Sequence, residues 1–203
     1  MNAILCFGDS ITYGRGEQPA RSWVGRLKQD FEIKDKYNVV YNLGIPGDTS
    51  TKLLKRIETE IKNRVHYIRE DDKFTIIISI GINDSIGILT PKNIQTKEKQ
   101  FIKNINELIE ISKKYTPNII LLSQTPVNEK LVCPYENTYF SNEMIKKYNQ
   151  IIEEVSNINK LKYIDIFNPI LKLNYIELLE DGVHFNSKGY NEMYKIIKDE
   201  LNI

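Results

Sequence analysis

The chain has little with which to be cross-linked or embedded, and no excess of charge of either sign. Of its 203 residues only two are cysteine, Cys6 and Cys133. They lack CxxC spacing, so neither a disulfide framework nor a zinc site is expected, and both read as free thiols. Histidine also occurs only twice, at His66 and His184. Two histidines that far apart make no zinc signature, and His66, among charged residues at the end of an expected helix, reads as a surface side chain. Charge of one sign is missing too: 28 Lys and Arg stand against 27 Asp and Glu. That balance leaves no electrostatic footprint of a nucleic-acid binder. No apolar run approaches the roughly 20 residues of an integral membrane segment, the longest being residues 74–80. The opening Met1-Asn2-Ala3-Ile4-Leu5-Cys6-Phe7-Gly8 has no basic lead and too short an apolar stretch for a signal peptide. These absences predict a cytoplasmic protein that meets a small molecule.

What is present looks globular. Hydrophobic residues make up 41% and charged residues 27%, ordinary usage for a chain that buries its own core, and the length suits one domain over residues 1–203. Short β-branched runs recur at residues 3–7, 38–43, 74–80, 118–123 and 161–166, and their near-continuous hydrophobicity suits parallel strands covered on both faces. Between and after them lie helical stripes. Trp23, Leu27 and Phe31 form one; Leu53, Leu54, Ile57, Ile61 and Val65 form the next, behind the capping candidates Asp48, Thr49 and Ser50. Phe101, Ile105, Leu108 and Ile109 form a third, Ile145, Tyr148, Ile152 and Val155 a fourth, and Tyr190, Met193, Ile197 and Leu201 close the chain. Five β-α units predict a three-layer α/β/α sandwich around a five-stranded parallel, flavodoxin-like sheet. Residues 124–140 exceed ordinary loop length and are expected to form a mobile, substrate-facing flap. The charge-dense residues 69–73 read as a solvated connection.

Ligands of open α/β sheets bind outside the carboxyl ends of the strands, and those positions are polar here. Gly8-Asp9-Ser10 follows the first strand, Gly44-Ile45-Pro46-Gly47-Asp48 the second and Gly81-Ile82-Asn83-Asp84 the third. Asp181-Gly182-Val183-His184 comes after the fifth. A serine hydroxyl is a poor nucleophile until an adjacent base takes its proton, and that base needs a third group to hold its tautomer. Ser10, His184 and Asp181 are among the polar residues that these strand ends bring toward one edge. Asp9, Asp48 and Asp84 read as structural: Asp9 bonding to nearby loops, the other two as loop or capping residues.

Gly8-Asp9-Ser10-Ile11, Asn42-x-Gly44, Gly81-x-Asn83-Asp84 and Asp181-x-x-His184 together resemble the four blocks of the SGNH (GDSL) hydrolases. They occur in order from Gly8 to His184, with Ile11 for the customary Leu. The resemblance implies a serine esterase without metal or organic cofactor. In it Ser10 attacks an acyl carbon, His184 carries the proton and Asp181 orients His184, while the N–H groups of Ser10 and Gly44 and the amide of Asn83 form the oxyanion hole. Asn83 suits that place because its NH₂ donates where a carboxylate would repel. Gly44 suits it because a Cβ would crowd the arriving carbonyl oxygen, although a turn glycine before Pro46 fits the same residue. Many relatives have Pro after the histidine; here Phe185 follows, and Asn186 or Ser187 is expected to cap the last helix. A backbone carbonyl in place of Asp181 stays open as the group that orients His184.

The implied substrate is a small-molecule acyl ester. Short acyl esters, lysophospholipids, thioesters and acetylated sugars all fit, with Ile86, Ile88 and Leu89 as candidate walls of an acyl pocket. The chain lacks G-x-S-x-G, which excludes an α/β-hydrolase elbow. A nucleotide-binding flavodoxin-like module is the rival from another class. Neither G-x-G-x-x-G nor a phosphate loop is present to support it. A third reading is a descendant that binds esters without turning them over.

Overall fold

The computed structural model describes residues 2–65 and 72–202. His66 and residues 69–71 of the expected charged connection therefore lie outside the described residues. In chain order the elements are β1 Asn2–Gly8, α1 Ser10–Tyr13, α2 Ser22–Glu32, β2 Val39–Gly44, α3 Ser50–Leu54, α4 Ile57–Val65 and β3 Lys73–Ser79. Then come β4 Gly87–Ile88, α5 Glu98–Lys113, β5 Ile119–Leu122, α6 Glu129–Val132, β6 Thr138–Tyr139, α7 Asn142–Ile158 and β7 Lys162–Ile164. The chain closes with α8 Phe167–Leu171, a 3₁₀ turn at Tyr175–Leu178 and α9 Ser187–Leu201.

Strand side chains alternate between two apolar faces, and this forces the layers. Ala3, Leu5, Phe7, Ile76, Ile78 and Leu121 join the α3, α4, α5 and α7 side of the sheet, whereas Ile4, Cys6, Ile77, Ile120 and Leu122 join the α2, α8 and α9 side. Each fully buried Leu, Ile or Phe contributes about 1.5–3 kcal/mol of burial. The sheet order is β2-β1-β3-β5-β7, every neighbouring pair parallel. It is the expected five-stranded three-layer α/β sandwich. Gly8 stands in register with Gly44 on one side and Ser79 on the other, so the carboxyl ends of β1, β2 and β3 meet at one edge.

Three local expectations change. The stripe expected as one helix breaks at residues 55–56 into α3 and α4, and of the three capping candidates Thr49 is the N-cap, accepting from Lys52 N–H at 3.4 Å. Residues 124–140 are not irregular throughout: they carry α6 and β6, and β6 pairs antiparallel with β4. That segment is bonded at Asn128 N–H to the Gly182 carbonyl, 2.8 Å, and at both polar groups of the Val127 backbone to the Asn142 amide. Pattern reading misses these pieces because four- and two-residue elements are too short for a period to register.

Candidate active site

The nucleophile candidate is held from below. Asp9 caps α1, its Oδ1 accepting Ile11 N–H at 2.9 Å. Ser10 is the first helical residue, so its own N–H has no intrahelical acceptor. The expected bond from Asp9 to neighbouring loops is replaced by this local one, and Asp9 Oδ2 is buried with no partner. Burial pushes the Asp9 carboxyl up to about 7, with the charges of Asp84 and Asp48 adding to it against the Ile11 N–H bond.

The base candidate arrives from the other end of the chain. His184 Nε2 lies 2.8 Å from Ser10 Oγ across 174 residues of sequence, and His184 Nδ1 lies 2.6 Å from Asp181 Oδ2. Asp181 also accepts the main-chain N–H groups of His184 at 2.8 Å and Val183 at 3.0 Å through Oδ1. Burial works to raise its carboxyl, but the His184 ring and those two N–H donors outweigh it and hold Asp181 below the usual carboxylate range. A carboxylate, not a carbonyl, therefore faces the imidazole.

Side chains fasten the loop that bears His184. Phe185, the residue directly after His184, is fully buried against Tyr190, edge to face at 5.7 Å. Asn186 Oδ1 caps α9 through Lys188 and Gly189 N–H, while Ser187 receives Arg26 instead. Arg26 forks onto Glu17 at 2.9 and 2.7 Å and reaches the Ser187 carbonyl at 3.1 Å. Tyr190 donates to the Arg15 carbonyl at 2.7 Å. The loop after Ser10 and the loop around His184 are thereby joined.

The three oxyanion candidates are not equally free. Asn83 Nδ2 spends one hydrogen on the Asp48 carbonyl, 2.9 Å, and keeps the other. Gly44 N–H donates to Asn42 Oδ1 at 3.0 Å, so it serves an incoming oxygen only by sharing that bond. The reason for glycine at 44 also changes. An added Cβ would stand 2.2 Å from Tyr13 N and 2.7 Å from the Asp9 carbonyl, so the close approach of α1 to β2 forbids a side chain. The turn glycine is Gly47, at φ +78°, behind Pro46 in a turn closed by Asp48 N–H on the Ile45 carbonyl at 3.1 Å. Asp84, next to Asn83, accepts both Ser50 N–H at 2.8 Å and Ser50 Oγ–H at 2.6 Å, fastening the two loops together.

Beside the imidazole opens a cavity of about 240 Å³ lined by Arg15, Val132, Tyr135, Phe140, Asp181, Val183 and His184. Residues 124–140, expected to face the substrate, supply Val132, Tyr135 and Phe140 to this lining, whereas the expected wall of Ile86, Ile88 and Leu89 does not contribute to it. Ile86 is buried and Leu89 is 65% exposed, and neither lines this cavity. Nothing in the spacing of Val132, Tyr135 and Phe140 marks them as a wall. Among the described residues no group of three His, Cys, Asp or Glu side chains could hold a metal ion, and no helix is long and apolar enough to cross a membrane.

The chain is similar along 98% of its length, at 25% identity, to the isoamyl acetate-hydrolyzing esterase of Saccharomyces cerevisiae, of which the match covers 83%. Its fold superposes on a lipase/acylhydrolase of Enterococcus faecalis with a TM-score of 0.79 at 25% identity, over 99% of this chain and 95% of that one. The acetylxylan esterase Axe2 of Geobacillus stearothermophilus shares the fold at a TM-score of 0.76 and 18% identity, over 99% and 94% of the two chains. A model of the GDSL-like lipase/acylhydrolase family matches residues 6–191, and on the strength of that span the chain belongs to this family.

Proposed function

We infer that the protein is a carboxylic ester hydrolase working through an acyl-enzyme on Ser10, with residues 1–203 serving that activity as one domain. The observation that carries the reading is the unbroken chain Ser10 Oγ, His184 Nε2, His184 Nδ1, Asp181 Oδ2, at 2.8 and 2.6 Å. As Ser10 Oγ attacks the acyl carbon, His184 Nε2 takes its proton and Asp181 stabilises the imidazolium that forms. The tetrahedral oxyanion meets Ser10 N–H and the unspent Asn83 N–H, with Gly44 N–H shared as a third donor. Collapse breaks the bond to the alcohol oxygen, which leaves with the proton returned by His184. Water then attacks the acyl-enzyme, gives its proton to His184, and the carboxylic acid leaves as Ser10 regains its hydrogen. No step calls for a metal or an organic cofactor.

The cavity bears on the substrate. His184 must hand its proton to the departing alcohol, so the alcohol lies on the imidazole side. The cavity touches His184 and Asp181 but none of the oxyanion donors, and Val132, Tyr135, Phe140 and Val183 make its walls largely apolar. An ester of a small acid with an apolar alcohol fits this arrangement better than a lysophospholipid, a thioester of a large carrier or an acetylated sugar, whose hydroxyls need polar partners. The yeast relative is named for isoamyl acetate, an ester of that kind.

The test uses p-nitrophenyl acetate and an organophosphonate probe on the whole protein. Wild type is expected to turn over the ester and to be labelled at Ser10, with Ser10→Ala and His184→Ala folded by circular dichroism yet inactive. Turnover by either variant at the wild-type rate, or a folded wild type that the probe never labels, would overturn the reading. A series of acetates should then favour branched-alkyl and aryl alcohols over acetylated sugars.

A further inference from the structure

The break between α3 and α4 has a consequence for the oxyanion donors. At residues 55–56 the backbone bonds tighten, Lys55 N–H to the Lys52 carbonyl and Arg56 N–H to the Leu53 carbonyl, at 3.2 and 3.1 Å. The tightened turn sends Arg56 back toward the sheet edge instead of out along a continuous helix. There its Nε donates to Asp48 Oδ2 at 2.8 Å and its Nη2 to the Gly8 carbonyl at 3.1 Å. Its guanidinium carbon lies 6.0 Å from the centre of the Phe7 ring.

Both ends of that fork lead to the site. The Gly8 carbonyl, two residues before Ser10, also accepts Ile45 N–H at 3.1 Å, which ties it to the residue after Gly44. Asp48 presents its main-chain carbonyl to Asn83 Nδ2 at 2.9 Å, the bond that fixes how the amide is turned. A single rigid guanidinium thus spans the strand end that carries Ser10 N–H and the loop that aims Asn83.

Stability alone does not account for an arginine here. Its side chain is 16% exposed and that of Asp48 8%, and buried ion pairs are often no better for stability than apolar residues of the same volume. Moreover, Arg56 Nη1 is buried without a partner, a cost that an apolar residue would avoid.

We propose that Arg56 is a positioning residue of the oxyanion site, its guanidinium holding the Gly8 carbonyl and the Asp48 carboxylate so that Ser10 N–H and the Asn83 amide converge on one point. The inference rests on the esterase reading. Asn83 touches the developing charge, and Arg56 acts through it and through the β1 end. Displacing preorganised donors by a fraction of an ångström weakens transition-state binding and leaves ground-state binding nearly untouched.

The experiment is a double-mutant cycle with p-nitrophenyl acetate on wild type, Arg56→Gln, Asn83→Ala and the double variant, each checked for fold by circular dichroism. Arg56→Gln is expected to lower kcat roughly 10- to 100-fold with KM within about twofold. In the Asn83→Ala background the same substitution should cost several-fold less than in wild type, because one of the two donors it positions is gone. If Gln at 56 prevents folding, Arg56→Lys keeps the charge on Asp48 but cannot reach both partners, and the same non-additive pattern is expected at smaller size. An unchanged kcat, or equal losses in both backgrounds, would overturn the inference while leaving the esterase reading intact. A wild type without turnover would instead bring down the esterase reading and this inference with it, whereas Asn83→Ala at the full rate would take Asn83 out of the oxyanion site and overturn this inference alone.

Discussion

The two sides of the Ser10–His184 contact are built by opposite means. On the Ser10 side, β1 and α1 sit against β2 so closely that no Cβ fits at Gly44, and the few side-chain bonds there, the Asp9 cap of α1 and Asn42 Nδ2 on the Thr12 carbonyl, reinforce a contact of main chain against main chain. On the His184 side, the loop is fastened by side chains: the Arg26–Glu17 fork, the Tyr190 hydroxyl and the buried Phe185 ring. Their carboxylates differ in the same sense. Asp9 is wholly buried with one oxygen unpartnered, whereas Asp181 is half-exposed and takes three donors. The lesson is that the proposed nucleophile is placed mainly by close main-chain packing and the proposed base mainly by polar side-chain attachment, so the two sides should fail differently.

Asp181→Asn is the strongest way to test the polar side. An asparagine still accepts the Val183 and His184 N–H groups, but its amide sets the wrong imidazole tautomer. Loss of kcat by about 10³ to 10⁴ is expected, as for the same change in another serine hydrolase, with little change in melting temperature. A loss under tenfold would reduce Asp181 to a loop residue.

Arg26→Met comes next. It leaves the Glu17 carboxylate buried and uncompensated, so unfolding free energy should fall by about 3–5 kcal/mol in urea titrations, and Glu17→Gln added to it should recover part of the loss. If the single variant lost under about 1 kcal/mol, the polar attachment would not be what holds this loop. Gly44→Ala probes the steric side. Pushing α1 from β2 should cost about 1–3 kcal/mol and also lower kcat, because Ser10 moves with α1. A variant as stable and active as wild type would break the contrast.

The smallest effect is a change of slope. Asp9 has a folded value near 7, above its ordinary 3.8, so the native state holds the proton more tightly than the unfolded one. Its contribution to stability is present below about pH 4 and is lost as pH rises through about 7. Asp181, held low, contributes in the opposite sense: its share is present above about pH 4 and is lost as pH falls further. Asp9→Asn keeps the Ile11 cap and should flatten the fall in stability between about pH 4 and 7, read by urea unfolding at stepped pH. An unaltered slope would mean that Asp9 does not carry the proton.

Much of this was legible in the chain because it is periodic or local. Near-continuous hydrophobicity in residues 3–7 and 74–80 calls for burial on both faces, and Asp181 with His184 three residues on can meet within one turn of loop. Other features were hidden for equally physical reasons. Gly44 reads as glycine for an incoming carbonyl until Tyr13 N is seen where its Cβ would be. Arg56 reads as one more charged residue on an amphipathic helix. Val132, Tyr135 and Phe140 carry no period because they sit on the short α6 and the stretch beyond it, in a segment tied down just before α6 by the bonds of Asn128 to Gly182 and of Val127 to Asn142.

By itself the sequence determined the layers, the strand-end positions of its polar blocks and the residue types able to move a proton, since hydrophobic period and side-chain chemistry act over a few neighbouring residues. Only the tertiary structure decided which donors remain free for an oxyanion, which cavity adjoins the imidazole and where Arg56 points. Those are properties of contacts between segments distant in the chain, and such contacts exist only once the sheet has brought them to one edge.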